Sequence, residues 1–153
     1  MTHSIDTSAL ITAWRFHYSP DRFPSVWRRI EEVIRSGDLR ASPMVLEELK
    51  VGEDDLYEWA RKQAGFCVEP DDTEQEYVRE IVRDFQGLVK ENEDRINADP
   101  FVIAFARRHG LTVVTMEAAK GQGYQSKIPY VCSRLAVRCV DLMGFFADYG
   151  WTF

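Results

Sequence analysis

Four acidic residues spread along the chain could together hold a divalent metal ion. Asp6 follows a short strand-like start, Glu48 lies in a helical segment, Asp99 precedes a proline, and Glu117 follows a β-branched apolar run. Carboxylate oxygens are the ligands that Mg²⁺ and Mn²⁺ prefer. Ions held in this way can activate water for hydrolysis of a phosphodiester, without a Ser–His or Cys–His pair. The acids therefore indicate metal-dependent hydrolysis.

Each of these acids also has a purely structural explanation. Asp99 before its proline is a favourable helix N-cap, and Asp6 and Glu117 could each stabilise the start of a short helix. Glu48 could be a solvated helix residue, and its neighbour Glu47 competes with it for any role in a site. The prediction of a metal site therefore depends on the combination of the four acids and on where the fold places them.

The elements that must position these acids alternate between strands and helices. Strands are expected at residues 4–5, 39–41, 111–115 and 137–140, with helices between and after them. One of these helices should begin with the capping box Thr73-Glu74-Gln75-Glu76. Strict alternation is typical of a parallel sheet covered on both faces. We therefore predict an α/β protein with a three-layer α/β/α fold and a central, mostly parallel sheet, formed as one domain by residues 1–153.

The predicted sheet would bring the four acids to one rim. Ligands of open parallel sheets bind beyond the carboxyl ends of the strands. Asp6 and Glu117 directly follow predicted strands, whereas Glu48 and Asp99 lie in the N-terminal halves of predicted helices, which face the same rim. The sequence therefore predicts that all four converge on one divalent-metal site.

Composition indicates an ordinary globular protein with an acidic balance. Of 153 residues, 45% are hydrophobic and 29% charged, and the formal net charge is −6. This charge argues against a protein that coats nucleic acid, but not against an enzyme that binds it locally. No apolar run approaches the roughly 20 residues that span a bilayer, the N-terminus is unlike a secretion signal, and Cys67, Cys132 and Cys139 are expected to be free thiols. A cytoplasmic location without membrane attachment is expected.

The four acidic motifs, in their order along the chain, resemble those of the PIN-domain nucleases, and specifically the VapC-like toxin ribonucleases of toxin–antitoxin pairs. The matching segments are IDTSAL from residue 5, VLEELK from residue 45 with Gly52 after it, ADPFVIA from residue 98 and VVTME from residue 113. They cover nearly the whole chain. We assign the second motif to Glu48 rather than Glu47, because the family's glutamate immediately precedes a leucine, as Glu48 precedes Leu49.

The resemblance implies a role for each motif residue. It makes all four acids catalytic and metal-binding, with Mg²⁺ or Mn²⁺ as the cofactor and Glu48 ligating either directly or through water. It also implies supporting hydroxyl groups that orient the carboxylates, on Thr7, Ser8 and Thr115. Substrate phosphates need cations near the rim, and the candidates in this chain are Arg15, Lys50 and Lys120.

The activity that the resemblance implies is endonucleolytic hydrolysis of RNA, leaving 5′-phosphate and 3′-hydroxyl ends. It also implies a cognate antitoxin protein as partner and a homodimer as the assembly. The chain departs from the family in two ways: Glu117 stands where aspartate is common, and a helical insert from residue 53 to residue 94 is longer than in the compact toxins. A non-catalytic PIN-like module that binds protein or RNA is the alternative, in which the carboxylates would be remnants or helix caps.

Overall fold

A four-stranded parallel sheet lies at the centre of the computed structural model, which describes residues 1–52, 54–90 and 96–153. The strands are β1 (His3–Ile5), β2 (Leu39–Arg40), β3 (Thr112–Val114) and β4 (Cys139–Val140). Their spatial order is β2-β1-β3-β4, and each adjacent pair is parallel. The predicted α/β class with a parallel sheet is confirmed.

Helices flank this sheet and connect its strands. They are α1 (Thr7–Ile11), which continues as a π-helical segment (Thr12–His17), α2 (Pro24–Arg35), α3 (Pro43–Gly52), α4 (Asp55–Arg61), α5 (Asp72–Asp84), α6 (Gln86–Lys90), α7 (Asp99–His109), α8 (Ile128–Arg134) and α9 (Leu142–Asp148). The predicted insert contains α4, α5 and α6, whereas its two end residues, 53 and 94, lie outside the described residues. In the described ranges, no helix is long and apolar enough to span a bilayer.

The central strand β1 sets the position of the first acid. All three of its residues are buried, as expected for a strand that is covered on both faces. Its register pairs Ile5 with Val114, and the backbone N–H of Asp6 continues the ladder by donating to the Val114 carbonyl at 2.9 Å. Asp6 and Thr115 therefore leave the sheet side by side at the carboxyl ends of β1 and β3.

Helix α7 packs through the middle of the core. Its residues from Val102 to Phe105 have no solvent exposure, and the Ser4 hydroxyl of β1 donates to the Val102 carbonyl at 3.1 Å. The helix stops at Gly110, whose φ of 67° is the left-handed conformation that favours glycine. Because α7 is held along its length, the position of its first turn, which carries Asp99, is fixed. The three cysteines are free thiols, and Cys132 is fully buried.

The start of α5 differs from the prediction. The expected capping box at Thr73 is wrong, because α5 begins at Asp72 and its N-cap is Asp71, whose Oδ1 accepts a hydrogen bond from the Glu74 N–H at 2.8 Å. Glu74 is fully buried, and neither of its carboxyl oxygens has a hydrogen-bond partner among the described residues. Its Oε1 lies 4.0 Å from Nε2 of His109 on α7. Glu74 therefore places between α5 and α7 a carboxyl group that has no hydrogen bond from the described residues and lies at ion-pair distance from His109.

This buried carboxyl should make stability depend on pH. Burial raises the pKa of Glu74 from 4.5 to about 7, and the charge of Asp71 adds to the shift. Because the folded pKa is the higher one, protonated Glu74 favours the fold, and this contribution is lost as pH rises through 7. Glu74→Gln, which stays neutral, is expected to raise the free energy of unfolding at pH 8 by about 1–2 kcal/mol and to change it little at pH 5.

Urea denaturation at the two pH values measures this effect. Glu76→Gln is the matched control, since Glu76 lies exposed on the same helix in an i,i+3 ion pair with Arg79, and such pairs contribute little. It should stay within about 0.5 kcal/mol of the wild type at both pH values. An equal change for Glu74→Gln at pH 5 and pH 8 would contradict the prediction.

Candidate metal centre

Three acidic side chains meet at the carboxyl ends of β1 and β3. One oxygen atom from each of Asp6, Asp99 and Glu117 lies within 4.8 Å of the other two. Asp6 is 1% exposed and Asp99 is 9% exposed, whereas Glu117 is half-buried. The structure therefore brings together three of the four acids that the sequence singled out.

Two hydroxyl groups orient the first carboxylate. Ser8 Oγ donates to Asp6 Oδ2 at 2.6 Å, and Thr115 Oγ1 donates to the same oxygen at 2.9 Å. Ser8 in turn accepts a hydrogen bond from the Met116 N–H at 3.0 Å. Because Ser8 comes from α1 and Thr115 from the end of β3, the Asp6 carboxylate is fixed by both sides of the site.

Asp99 begins helix α7 rather than capping it, so its interpretation as an N-cap is wrong. The N-cap is Ala98, whose side chain accepts no hydrogen bond. Other side chains satisfy the first backbone donors: Glu48 Oε1 accepts from the Ala98 N–H at 2.5 Å, and Asn97 Oδ1 accepts from the Asp99 N–H at 3.0 Å. The Asp99 carboxyl is therefore released from capping and faces the other acids.

Glu48 lies beside the three-acid cluster and links α3 to α7. It is half-buried, whereas Glu47 is exposed. Burial raises the pKa of Glu48 to about 7, and the hydrogen bond from the Ala98 N–H partly offsets this rise. The negative charges of Asp6 and Glu117 act on it as well, which places Glu48 within electrostatic reach of the cluster.

Exchanging each of the two adjacent glutamates for alanine tests whether Glu48, rather than Glu47, links α3 to α7. Glu48→Ala leaves the buried Ala98 N–H without its acceptor, so we expect the free energy of unfolding at pH 6 to fall by about 1–2 kcal/mol. Glu47→Ala, at an exposed position of the same helix, should stay within about 0.5 kcal/mol of the wild type. Urea denaturation measures both changes. If the two variants were equally stable, the hydrogen bond between Glu48 and the Ala98 N–H would not contribute to the stability of the fold.

Glu117 reaches the cluster from the loop after β3. Its backbone N–H donates to Thr115 Oγ1 at 3.1 Å, and its Oε1 accepts from the N–H of Ile128, the first residue of α8, at 3.0 Å. Glutamate, longer than aspartate by one methylene group, thus contacts both the start of α8 and the other acids. This contact gives Glu117 a structural role that the shorter side chain of aspartate would fill less easily.

The electrostatics of the cluster call for a bound cation. Burial, together with the charges of Asp6 and Glu117, raises the pKa of Asp99, so without metal its carboxyl keeps a proton and can donate a hydrogen bond to Glu117. Burial and the charge of Glu117 also raise the pKa of Asp6. Like charges held this close in a buried site need protons or a cation to offset them. The oxygen-only donor set fits a hard divalent ion such as Mg²⁺ or Mn²⁺.

The Thr7 hydroxyl, the third of the predicted supporting hydroxyl groups, is buried beside Glu48. Its interaction with the Glu48 carboxylate partly offsets the rise in the pKa of Glu48. Thr7 therefore supports Glu48, whereas Ser8 and Thr115 orient Asp6.

The three candidate phosphate-binding cations lie outside the cluster. Arg15, on the π-helical segment, forms an ion pair with Asp54, the N-cap of α4. Lys50 is exposed in the last turn of α3, and Lys120 is exposed in the loop after Glu117. Contacts of these side chains with substrate stay a prediction, and Arg15 would have to share its charge with Asp54.

Asn97 is the positioning residue that the sequence analysis missed. Besides accepting from the Asp99 N–H, it donates from Nδ2 to the Leu88 carbonyl of α6 at 2.9 Å. Asparagine two residues before a helical N–H is a known local signal, because its side chain can mimic a backbone turn.

Comparison with known proteins places the chain in one family. The model of a family described as a domain of unknown function, DUF4411, matches residues 3–153, which include all four acids. No curated protein matches the sequence at a significant level. Since the family model covers nearly the whole chain, the protein belongs to the DUF4411 family.

Proposed function

We propose that this protein is a metal-dependent endoribonuclease that hydrolyses phosphodiester bonds of RNA. The observation that carries the proposal is the buried cluster of Asp6, Asp99 and Glu117, with oxygen atoms within 4.8 Å of one another. The cluster lies at the carboxyl edge of a parallel sheet, which is where such folds bind ligands. Clusters of carboxylates that hold divalent ions are a common means of hydrolysing phosphodiesters.

The sequence resemblance supplies the substrate part of the proposal. The four acidic segments are similar to those of PIN-domain nucleases in type and order, and the compact VapC-like members of that group supply RNA as the expected substrate. Without metal, the cluster would repel a phosphate group, because its acidic side chains lie next to one another and the whole chain carries a formal charge of −6. Substrate binding should therefore depend on the divalent ion.

Each residue of the site then has a chemical task. Asp6, Asp99 and Glu117 would hold one or two Mg²⁺ or Mn²⁺ ions, which when bound supply Lewis-acid chemistry and activate water. The Ser8 and Thr115 hydroxyls keep the Asp6 carboxylate in one orientation, so that it need not reorganise when substrate binds. Glu48, with a pKa raised to about 7, can hold or release a proton at Oε2 near neutral pH, while its Oε1 stays bound to the Ala98 N–H.

A cleavage assay with end-labelled single-stranded RNA tests the proposal. The full chain is incubated with the RNA in Mn²⁺, in Mg²⁺ or in EDTA, with DNA of the same sequence as a comparison. We expect cleavage only with a divalent ion and products with 5′-phosphate and 3′-hydroxyl ends. If calorimetry shows no Mn²⁺ binding and no RNA is cleaved, the nuclease proposal fails and a non-catalytic PIN-like binding module takes its place.

The proposal extends to partners. A toxin-like ribonuclease acting on cytoplasmic RNA would need a cognate antitoxin, and we expect a small protein encoded beside this gene to copurify with it and to suppress cleavage. Light scattering during size-exclusion chromatography would test the expected homodimer. Cleavage that is unaffected by every neighbouring gene product would remove the toxin part of the proposal and leave the nuclease part.

A further inference from the structure

A cavity of about 330 Å³ opens beside Glu117, at the carboxyl ends of β3 and β4. Its apolar wall includes Met116, Pro129 and Val140, and Ala119 lies at the same opening. Because Glu117 belongs to both the cavity and the acidic cluster, a group bound in the cavity would lie next to the metal site. The volume is at the lower end of the range for small-molecule pockets.

The cavity has one charged hydrogen-bond acceptor besides Glu117. Asp141 lines it and is the N-cap of α9, where its Oδ1 accepts from the Gly144 N–H at 2.8 Å. The other oxygen, Oδ2, makes no hydrogen bond within the described part of the chain. The charge of Asp141 acts on the thiol of Cys139, another residue of the cavity wall. An ionised carboxylate only accepts hydrogen bonds, so it favours a ligand edge that carries N–H donors.

This combination of apolar wall and acceptor fits a nucleobase. A base has two apolar faces and a polar edge, and unpaired bases are recognised by packing of their faces and hydrogen bonding of their edges. The exocyclic amino groups of cytosine and adenine donate hydrogen bonds to carboxylate or amide oxygens. Uracil has a carbonyl oxygen where cytosine has its amino group, so a uracil that donates its N3–H to the Asp141 carboxylate would bring that oxygen close to the negative charge.

We propose that this cavity binds the base of a nucleotide next to the scissile phosphate, and that Asp141 favours bases with an exocyclic amino group. The inference rests on the proposed nuclease function and narrows its substrate to single-stranded RNA, since a base held in a duplex cannot enter a cavity. Bases that offer an amino group at this edge would bind better than uracil. Asp141 acts here as a specificity-determining residue.

Ten-nucleotide RNAs of a single base type provide the probe. Binding of labelled A₁₀, C₁₀ and U₁₀ to the full chain is followed by fluorescence anisotropy in Ca²⁺, which also takes oxygen ligands, and cleavage is followed with Mn²⁺. We expect U₁₀ to bind and to be cleaved about tenfold less well than C₁₀ or A₁₀, which is the usual size of one charge-assisted hydrogen bond.

Two variants locate the effect. Asp141→Asn keeps a good helix N-cap but adds an amide donor, so we expect the preference against U₁₀ to fall to about twofold or less. Ala119→Trp fills the cavity and should weaken binding of all three RNAs by about tenfold or more. Ala118→Trp is its matched control, because Ala118 is exposed next to Ala119 but does not line the cavity. Mn²⁺ binding, measured by calorimetry, should be unchanged in Ala119→Trp.

The outcomes separate this inference from the proposed function. If Mn²⁺ binds and RNA is cleaved, but the three RNAs behave alike and Ala119→Trp has no effect, the base-binding cavity is overturned while the nuclease stands. If no Mn²⁺ binds and no RNA is cleaved, the nuclease fails. The anisotropy measurements then still test the base-binding cavity. If the three RNAs bound equally well to the wild type and to Ala119→Trp, the proposed cavity would be overturned as well.

Discussion

Asp6→Asn is expected to lower Mn²⁺-dependent cleavage of RNA by roughly a thousandfold or more. The substitution is nearly isosteric, and its amide oxygen can still accept from the Ser8 and Thr115 hydroxyls that now bind Oδ2. It removes one negative charge from the three-acid cluster, so the affinity for a divalent ion should fall with the activity. Cleavage of labelled RNA and calorimetric Mn²⁺ titration measure the two losses.

Stability measurements separate loss of the site from loss of the fold. Without metal, Asp6→Asn should be at least as stable as the wild type, because it removes a buried charge and its repulsion with Glu117, the two causes that raise the Asp6 pKa. Added Mn²⁺ should raise the melting temperature of the wild type but not of the variant. Asp21→Asn, an exposed loop aspartate, is the control and should keep both cleavage and the Mn²⁺ effect. Full cleavage by Asp6→Asn would contradict the assignment of the site.

The metal-free protein is expected to lose stability on the order of 3 kcal/mol between pH 5 and pH 8. Burial raises the pKa values of Asp6, Glu48 and Asp99 above their ordinary values of 3.8 to 4.5, and that of Glu48 reaches about 7. A group with a raised folded pKa stabilises the fold below its unfolded pKa, and this contribution is lost as pH rises through the folded pKa. Glu74 acts in the same direction.

Urea denaturation in EDTA across this pH range measures the slope, and the same series in saturating Mn²⁺ should be much flatter because the ion offsets the charges. Asp99→Asn should reduce the slope and stabilise the metal-free protein at pH 8. Asp72→Asn is the matched control, since Asp72 is also in the first turn of a helix but is exposed. Stability that rises from pH 5 to pH 8 in EDTA would show that the acids are not buried together.

The sheet could be predicted from local sequence, but the order of its strands could not. The β-branched run at residues 111–115 and the alternation with helices indicate parallel strands, and β3 is found there. That β1 lies between β2 and β3 depends on pairings between distant segments, such as Ile5 with Val114. Local sequence patterns do not indicate which distant segments pair in the sheet.

The misinterpretation of Asp99 has the same origin. An aspartate before a proline has the local pattern of an N-cap, and the residue that instead satisfies the first helical donor is Glu48, 50 residues earlier than Ala98. The choice between Glu47 and Glu48 likewise needed the packing of α3, because adjacent helix positions differ only in the direction that they face. The cavity at Asp141 could not be predicted from the sequence, because it forms only where β4 and α9 lie beside Glu117.

The hydrogen bond from Thr115 to Asp6 joins residues 109 positions apart in the chain, and this separation has a consequence during synthesis. The central strand β1 is synthesised well before its neighbour β3 and before the Ile128 N–H that donates to Glu117. Contacts between such distant segments form late in folding. A nascent chain therefore cannot bring Asp6, Asp99 and Glu117 together in this arrangement until the residues up to Ile128 have been translated.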